Sequence, residues 1–164
     1  MPRTHSGISV VAPEAMLAEA KIFVRDLPTS DKLAFIGAAI AVLVSFLPWK
    51  ETFSEGEVLG FVSLGFAAFV SNLATLGAIV VRVRKAMPRL HPVIPWLVQL
   101  GMICFGIVWC LIFIKISTDD RMTAALIGNQ MVPASKPSFG VYLALLMEMV
   151  ALAGTLMGLK EKPA

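Results

Sequence analysis

The chain has 164 residues, of which 57% are hydrophobic and only 15% charged, and it carries a formal net charge of +3. With a mean hydropathy of +0.81 it is too apolar for an ordinary soluble domain, and the composition points to a polytopic membrane protein. The small basic excess follows the order of the segments and gives no clustered surface of the kind that binds nucleic acid.

Residues 1–12 carry little periodicity and are expected to lack stable structure. From 13 to 27 the pattern is helical: Met16, Leu17, Ala20, Phe23, Val24 and Leu27 share one side, and Glu14, Lys21 and Arg25 share the other. Pro13 suits a first helical turn. This predicts an amphipathic helix lying in the headgroup boundary or against a partner. It completes an N-terminal segment, 1–31, in which Pro28-Thr-Ser-Asp31 breaks the chain and offers capping oxygens to the next helix.

Four apolar runs follow, at about 32–49, 58–82, 93–116 and 139–159, and together they make a membrane domain over 32–160 with a short tail at 161–164. A bilayer core of about 30 Å needs about 20 helical residues, so the first run is the shortest candidate. It gains length if Asp31 and Lys32 snorkel at one end and Pro48-Trp49 sits in the headgroups at the other. No removable signal peptide is apparent, and the first run is expected to act as an uncleaved insertion signal.

The first connection, Lys50 to Glu57, is acidic. A solvated turn explains Glu51, Glu55 and Glu57 better than a divalent-cation loop, whose ligand spacing they do not match. The second connection, with Arg82, Arg84, Lys85 and Arg89, ends in a proline-rich stretch containing His91. The third run holds both cysteines, Cys104 and Cys110, which read as small apolar core residues that cannot bridge within one helix. The third connection, 117–138, is the longest. Thr118-Asp119-Asp120 can cap a short helix through Ile127, with Gly128-Asn129 as its stop and Val132 to Pro137 as an extended strap.

Alternating the segments puts most of the basic residues on the side of both termini and the Arg82–His91 loop, leaving Lys50, Lys115, Arg121 and Lys136 on the other. The positive-inside rule then makes both termini cytoplasmic. A compact, loop-poor design of this kind suggests a bacterial inner membrane.

Glu148 is the one ionisable acid or base well inside an apolar run. A carboxyl group at mid-bilayer costs roughly 2.5 to 3.5 kcal/mol on insertion scales. Gly140, Ala144, Glu148, Ala151, Thr155 and Gly158 share one helical face, and Gly154 and Gly158 form a Gly-xxx-Gly pair suited to close packing. In the second run Asn72, flanked by Ser71 and Thr75, falls at a similar depth and can donate to Glu148. In the first run Ala34, Ala38, Ala41 and Ser45 make another small-residue face, and in the third Gly101, Gly106 and both cysteines allow close approach. Glu148 therefore reads first as a helix-contact residue, with an ion or proton route and contact with a lipid or small ligand as alternatives.

The fold expected is all-α, a four-helix antiparallel transmembrane bundle with an N-terminal amphipathic helix. The chain lacks the outer-loop Gly-Leu-Trp and paired cysteines of claudins, the Cys-Cys-Gly loop of tetraspanins and the Cys-x-x-Cys of quinone-linked disulfide oxidases. Its histidines, His5 and His91, lie outside the runs, unlike those of haem-b anchors. Phe46-Leu-Pro-Trp49 resembles a segment of many small bacterial membrane proteins of no assigned activity. No catalytic constellation, metal cluster or cofactor motif is legible. The function expected is a non-enzymatic membrane subunit whose partners are the lipid bilayer, further copies of itself or other membrane subunits. A small oligomeric channel or ion-coupled transporter using Glu148 is the alternative.

Overall fold

The computed structural model describes residues 13–52, 56–87, 91, 93–124 and 131–159. The expectations for residues 1–12, Glu55, Arg89, the 125–130 segment and the 161–164 tail lie outside the described residues. Among the described residues the chain is mostly helical, with five helices: α1 (Pro13–Asp26), α2 (Thr29–Val44), α3 (Phe66–Val83), α4 (Val93–Ser117) and α5 (Phe139–Met157). Of these, α3, α4 and α5 are long and apolar enough to cross a membrane, the composition of an integral membrane protein.

Among the described residues, the connections at one end of the bundle hold four strands, β1 (Pro48–Thr52), β2 (Gly56–Leu59), β3 (Asp119–Ala124) and β4 (Met131–Pro137). They form one antiparallel sheet in the order β2-β1-β4-β3. This corrects the all-helical expectation. The helix expected from Thr118 to Ile127 is replaced through Ala124 by a strand, and the strap at 132–137 pairs with both β3 and β1. Once β1 supplies a neighbour, β4 is paired along both of its edges and gives β3 a ladder in place of a short capped helix.

The same sheet shortens two of the expected spans. Helix α2 ends at Val44, before Pro48 opens β1, and α3 begins at Phe66, because 58 and 59 belong to β2 and 60–65 turn. Trp49 explains the turn. It is fully buried, its indole N–H donates to the Val44 carbonyl at 3.0 Å, and its ring stands edge-on to Phe113. A Cβ on Gly60 or Gly65 would meet that ring at 2.6 to 2.7 Å. Trp49 is thus the plug between sheet and bundle, and it does not lie at the surface as the headgroup anchor expected of it.

Helices α2 and α4 run toward the sheet and α3 and α5 run away from it. Around the bundle α2 packs on α5, α5 on α4, α4 on α3 and α3 on α2, so α3 and α5 face each other across the diagonal. At the end far from the sheet, Asp31 does not snorkel: it is ion-paired with Arg82, tying the start of α2 to the end of α3. Nor do side chains cap α2, whose first turn follows Pro28 without such a bond. Lys32 donates to the Arg25 carbonyl at 3.1 Å, which holds the end of α1 to α2. Phe23 of α1 meets Phe35 edge-on, and Leu27 is buried with Ala34 and Ile79. Large apolar side chains face outward on all four bundle helices, among them Leu43, Leu73, Val108 and Leu146. Such a surface suits lipid and not water.

Candidate functional site

The centre of the bundle is polar. On α5 the buried face reads Gly140, Val141, Ala144, Glu148, Ala151, Gly154, Thr155, so the small-residue stripe points inward. Most of it is taken up by α2. A Cβ on Gly37 would come within 2.8 Å of the Ala151 nitrogen and the Met147 carbonyl, and one on Gly154 within 2.7 Å of the Ser30 carbonyl. Backbone here approaches backbone, which only small residues allow. Gly140 sits against Pro48 and Trp49 at the sheet end, and Gly158 lies beside Ser30 at the other.

Glu148 is 1% exposed and Asn72 2%. The Asn72 amide donates to Glu148 Oε1 at 2.7 Å and to the Ala68 carbonyl at 3.0 Å. With both of its recipients acceptors, the orientation of the Asn72 amide is determined. The bond joins α3 to α5 across the bundle diagonal. On its far side the Glu148 carboxyl lies where Gly106 of α4 has no side chain, and a Cβ there would collide with it.

Ser71 and Thr75 are brought to the same interior but do not reach Glu148. The Ser71 hydroxyl donates to the Ala68 carbonyl and that of Thr75 to the Ser71 carbonyl, at 2.9 and 3.0 Å. Such bonds satisfy the hydroxyls within their own helix.

One interior polar residue, Gln99 of α4, escaped the sequence reading. It is fully buried, and its amide donates to Thr155 Oγ1 at 2.7 Å. The Thr155 hydroxyl spends its own proton on the Ala151 carbonyl, so it can only accept from Gln99. Gln99 stands seven residues before Gly106, as Glu148 stands seven before Thr155, and the antiparallel helices match the two layers two turns apart. The offset becomes a signal only once Gly106 is in register with Glu148, which spacing within either run does not fix.

Among the described residues, buried atoms without a hydrogen-bond partner include Glu148 Oε2, Asn72 Oδ1 and Gln99 Oε1. The two amide oxygens can only accept, whereas Glu148 Oε2 accepts when the carboxyl is ionised and donates when it is protonated. The interior thus offers one unused amide acceptor, Asn72 Oδ1, beside the carboxyl group and another, Gln99 Oε1, two turns away. The cysteines divide: Cys110 is buried, whereas Cys104 is exposed on the outward side of α4, so only Cys110 fills the core role expected of both. Gly101 likewise faces outward with nothing near it.

At the sheet, Lys136 of β4 bridges Glu51 of β1 at 2.8 Å. This hydrogen bond is the main cause that holds the Glu51 carboxyl below its usual value of 4.5, and it raises Lys136 above its usual 10.5. Glu57 sits opposite Glu51 on β2. Among the described residues no group of three or more histidine, cysteine, aspartate or glutamate side chains is arranged to hold a metal ion.

No protein-family model, curated protein or solved structure matches this chain. The site's own chemistry is therefore the basis for a functional reading.

Proposed function

We propose that the chain is a non-catalytic integral membrane protein that spans the bilayer four times and assembles with itself or as a subunit of a larger membrane complex. In this reading α2 is the fourth span. Its 16 residues rise about 24 Å, and the segment through Pro48 and the buried Trp49 extends it toward the thickness of the bilayer. Both termini lie on the cytoplasmic side, the sheet lies outside, and α1 rests in the inner headgroup boundary with its apolar side on the bundle. A bacterial inner membrane suits the charge distribution.

The observation that carries the assembly reading is the pair of outward glycines. A Cβ on Gly77 or on Gly101 would touch nothing within 4 Å, although the two stand on neighbouring helices among exposed Leu73 and Leu97. In a membrane, open small residues are where helices of another subunit approach. The stripe on α5, by contrast, is used within the chain.

The test is thiol cross-linking of Gly77→Cys and Gly101→Cys, each in a Cys104→Ser, Cys110→Ser background, in native membranes. Products of defined size should form, and those of Gly77→Cys should weaken when Gly101 is replaced by leucine. A lone monomer in native lipid would remove the assembly reading.

The unpartnered Glu148 Oε2 and Asn72 Oδ1 favour a second reading, an oligomeric channel or ion-coupled transporter in which the carboxyl group takes up a proton or cation. Flux in liposomes would then depend on pH and be lost in Glu148→Gln. Flux unchanged in that variant would exclude the carboxyl from the route.

A further inference from the structure

Where the sheet meets the bundle, a cleft of about 190 Å³ opens between β1, β2, the 60–65 turn and the end of α4. We propose that it is a binding site for the anionic head group of a membrane phospholipid, with the acyl chains left outside along α4. The site has a charged floor and an apolar rim. Lys50 lines it together with its cross-strand partner Val58, so the two side chains lie on one face of the sheet. Glu51, Lys136 and Glu57 alternate to the other face, where Glu51 and Lys136 bind each other. Among the described residues Lys50 has no carboxylate partner, although it is half-buried. A half-buried lysine that lines a cleft offers its ammonium to an anion there.

The other polar groups narrow the chemistry. Ser63 already donates to the Gly60 carbonyl and accepts from the Gly65 amide. The Thr52 hydroxyl, also in the lining, donates to the Gly56 carbonyl at 3.3 Å. Among the described side chains of the cleft this leaves the three N–H bonds of Lys50 and the Ser117 hydroxyl, a small set that suits one phosphate group.

The rim argues for a lipid over a soluble anion. Leu64 and Ile116 border the cleft and are each 57% exposed, while Phe113 closes its inner wall at 4%. The Trp109 indole donates to the Leu64 carbonyl at 2.7 Å, and tryptophans favour the boundary between bilayer and water. The volume falls short of the roughly 300 to 1,000 Å³ of sites that enclose a drug-sized ligand. It holds a head group and leaves no room for a chain.

The inference rests on the membrane reading above, and the experiment separates the two. Full-length protein is reconstituted in nanodiscs of phosphatidylcholine with a minor fraction of phosphatidylglycerol, and retained lipids are counted by native mass spectrometry after partial delipidation. Failure to enter nanodiscs would refute the membrane reading itself. Given insertion, the protein should retain phosphatidylglycerol over phosphatidylcholine. Lys50→Gln should lower that preference about tenfold, Lys50→Arg should keep it, and Lys136→Gln, on the opposite face, should leave it unchanged. Leu64→Glu, which adds a negative charge at an exposed rim position, should lower it as well. Equal retention of the two lipids by the unmodified chain, or an unchanged preference in both Lys50→Gln and Leu64→Glu, overturns the proposal. Displacement of the bound lipid by millimolar inorganic phosphate would also overturn it, since the site would then be one for a soluble anion.

Discussion

Asn72 and Glu148 meet across the bundle because Asn72 can satisfy its own helix and another helix at once. One amide proton goes to Ala68 and the other to Glu148. Interhelical bonds of this type in membranes measure about 0.6 kcal/mol on average and reach about 1.7. A double-mutant cycle of Asn72→Ala and Glu148→Ala, read by unfolding in mixed micelles, should therefore give a coupling of about 0.5 to 2 kcal/mol. A coupling near zero would mean that the two side chains do not bond in the folded protein. Gly106 allows a sharper test of the same residue. Gly106→Ala should destabilise by about 1 to 3 kcal/mol, because the added methyl group displaces the carboxyl from its partner. Gly101→Ala, five residues away and facing outward, should instead be neutral or gain up to about 1 kcal/mol from helix propensity. Equal effects at the two positions would contradict the placement of Glu148 against α4.

At the scale of elements, the strands depend on one another, since the β1–β4 pairing is what joins the two connections into one sheet. The Glu51–Lys136 bridge reports on that junction. Glu51 has a lowered pKa in the folded chain, so its contribution is complete above the unfolded value and is lost as pH falls through the folded one. Lys136 has a raised pKa, so its contribution is complete below its unfolded value and is lost as pH rises through the folded one. The bridge is therefore intact between the usual values of 4.5 and 10.5. Trp49, buried beneath the sheet, can be made the sole reporter with Trp96→Phe and Trp109→Phe. Its fluorescence should be flat across that window and change below it. Glu51→Gln should remove the acid limb, and an acid limb unchanged in that variant would assign it to another carboxylate. Both side chains are solvent-exposed, so the effect on overall stability should be small.

The element scale also shows why only part of the fold was legible from the sequence. The inward stripe on α5 follows from helical spacing alone, and so does the shared depth of Asn72 and Glu148. The strands do not: Lys50 to Thr52 finds its ladder partner in Ser135 to Pro137, and no local pattern in either connection announces a pairing at that distance. Trp49 was misplaced for a related reason. An aromatic residue at the end of an apolar run suits an interface anchor, and only the glycines gathered from two other segments, Gly60, Gly65 and Gly140, make room to bury it. Gln99 was passed over because one amide near a helix end carries no pattern until its partner helix is in register.

For the whole molecule, the test is whether one chain closes its own bundle. The first turn of α2 and the last residue after α5 must meet at the end remote from the sheet, across almost the full length of the sequence. A Cβ on Gly158 would lie 3.7 Å from the Ser30 Cβ, close to the mean of about 3.8 Å found in disulfides. In a chain with Cys104→Ser and Cys110→Ser, the pair Ser30→Cys and Gly158→Cys should oxidise to an intramolecular bridge that migrates as a compact monomer on non-reducing gels. The bridge closes a loop longer than 100 residues, for which chain entropy gives a stabilisation approaching about 5 kcal/mol. Exchange of α5 between copies would produce a covalent dimer from the same two thiols. An α2 that fails to run the length of the bundle would produce no bridge. A monomeric bridge in native membranes would place the entry of α2 and the exit of α5 on one side of the bilayer, as four spans require, because an odd number of crossings would leave the two thiols on opposite faces.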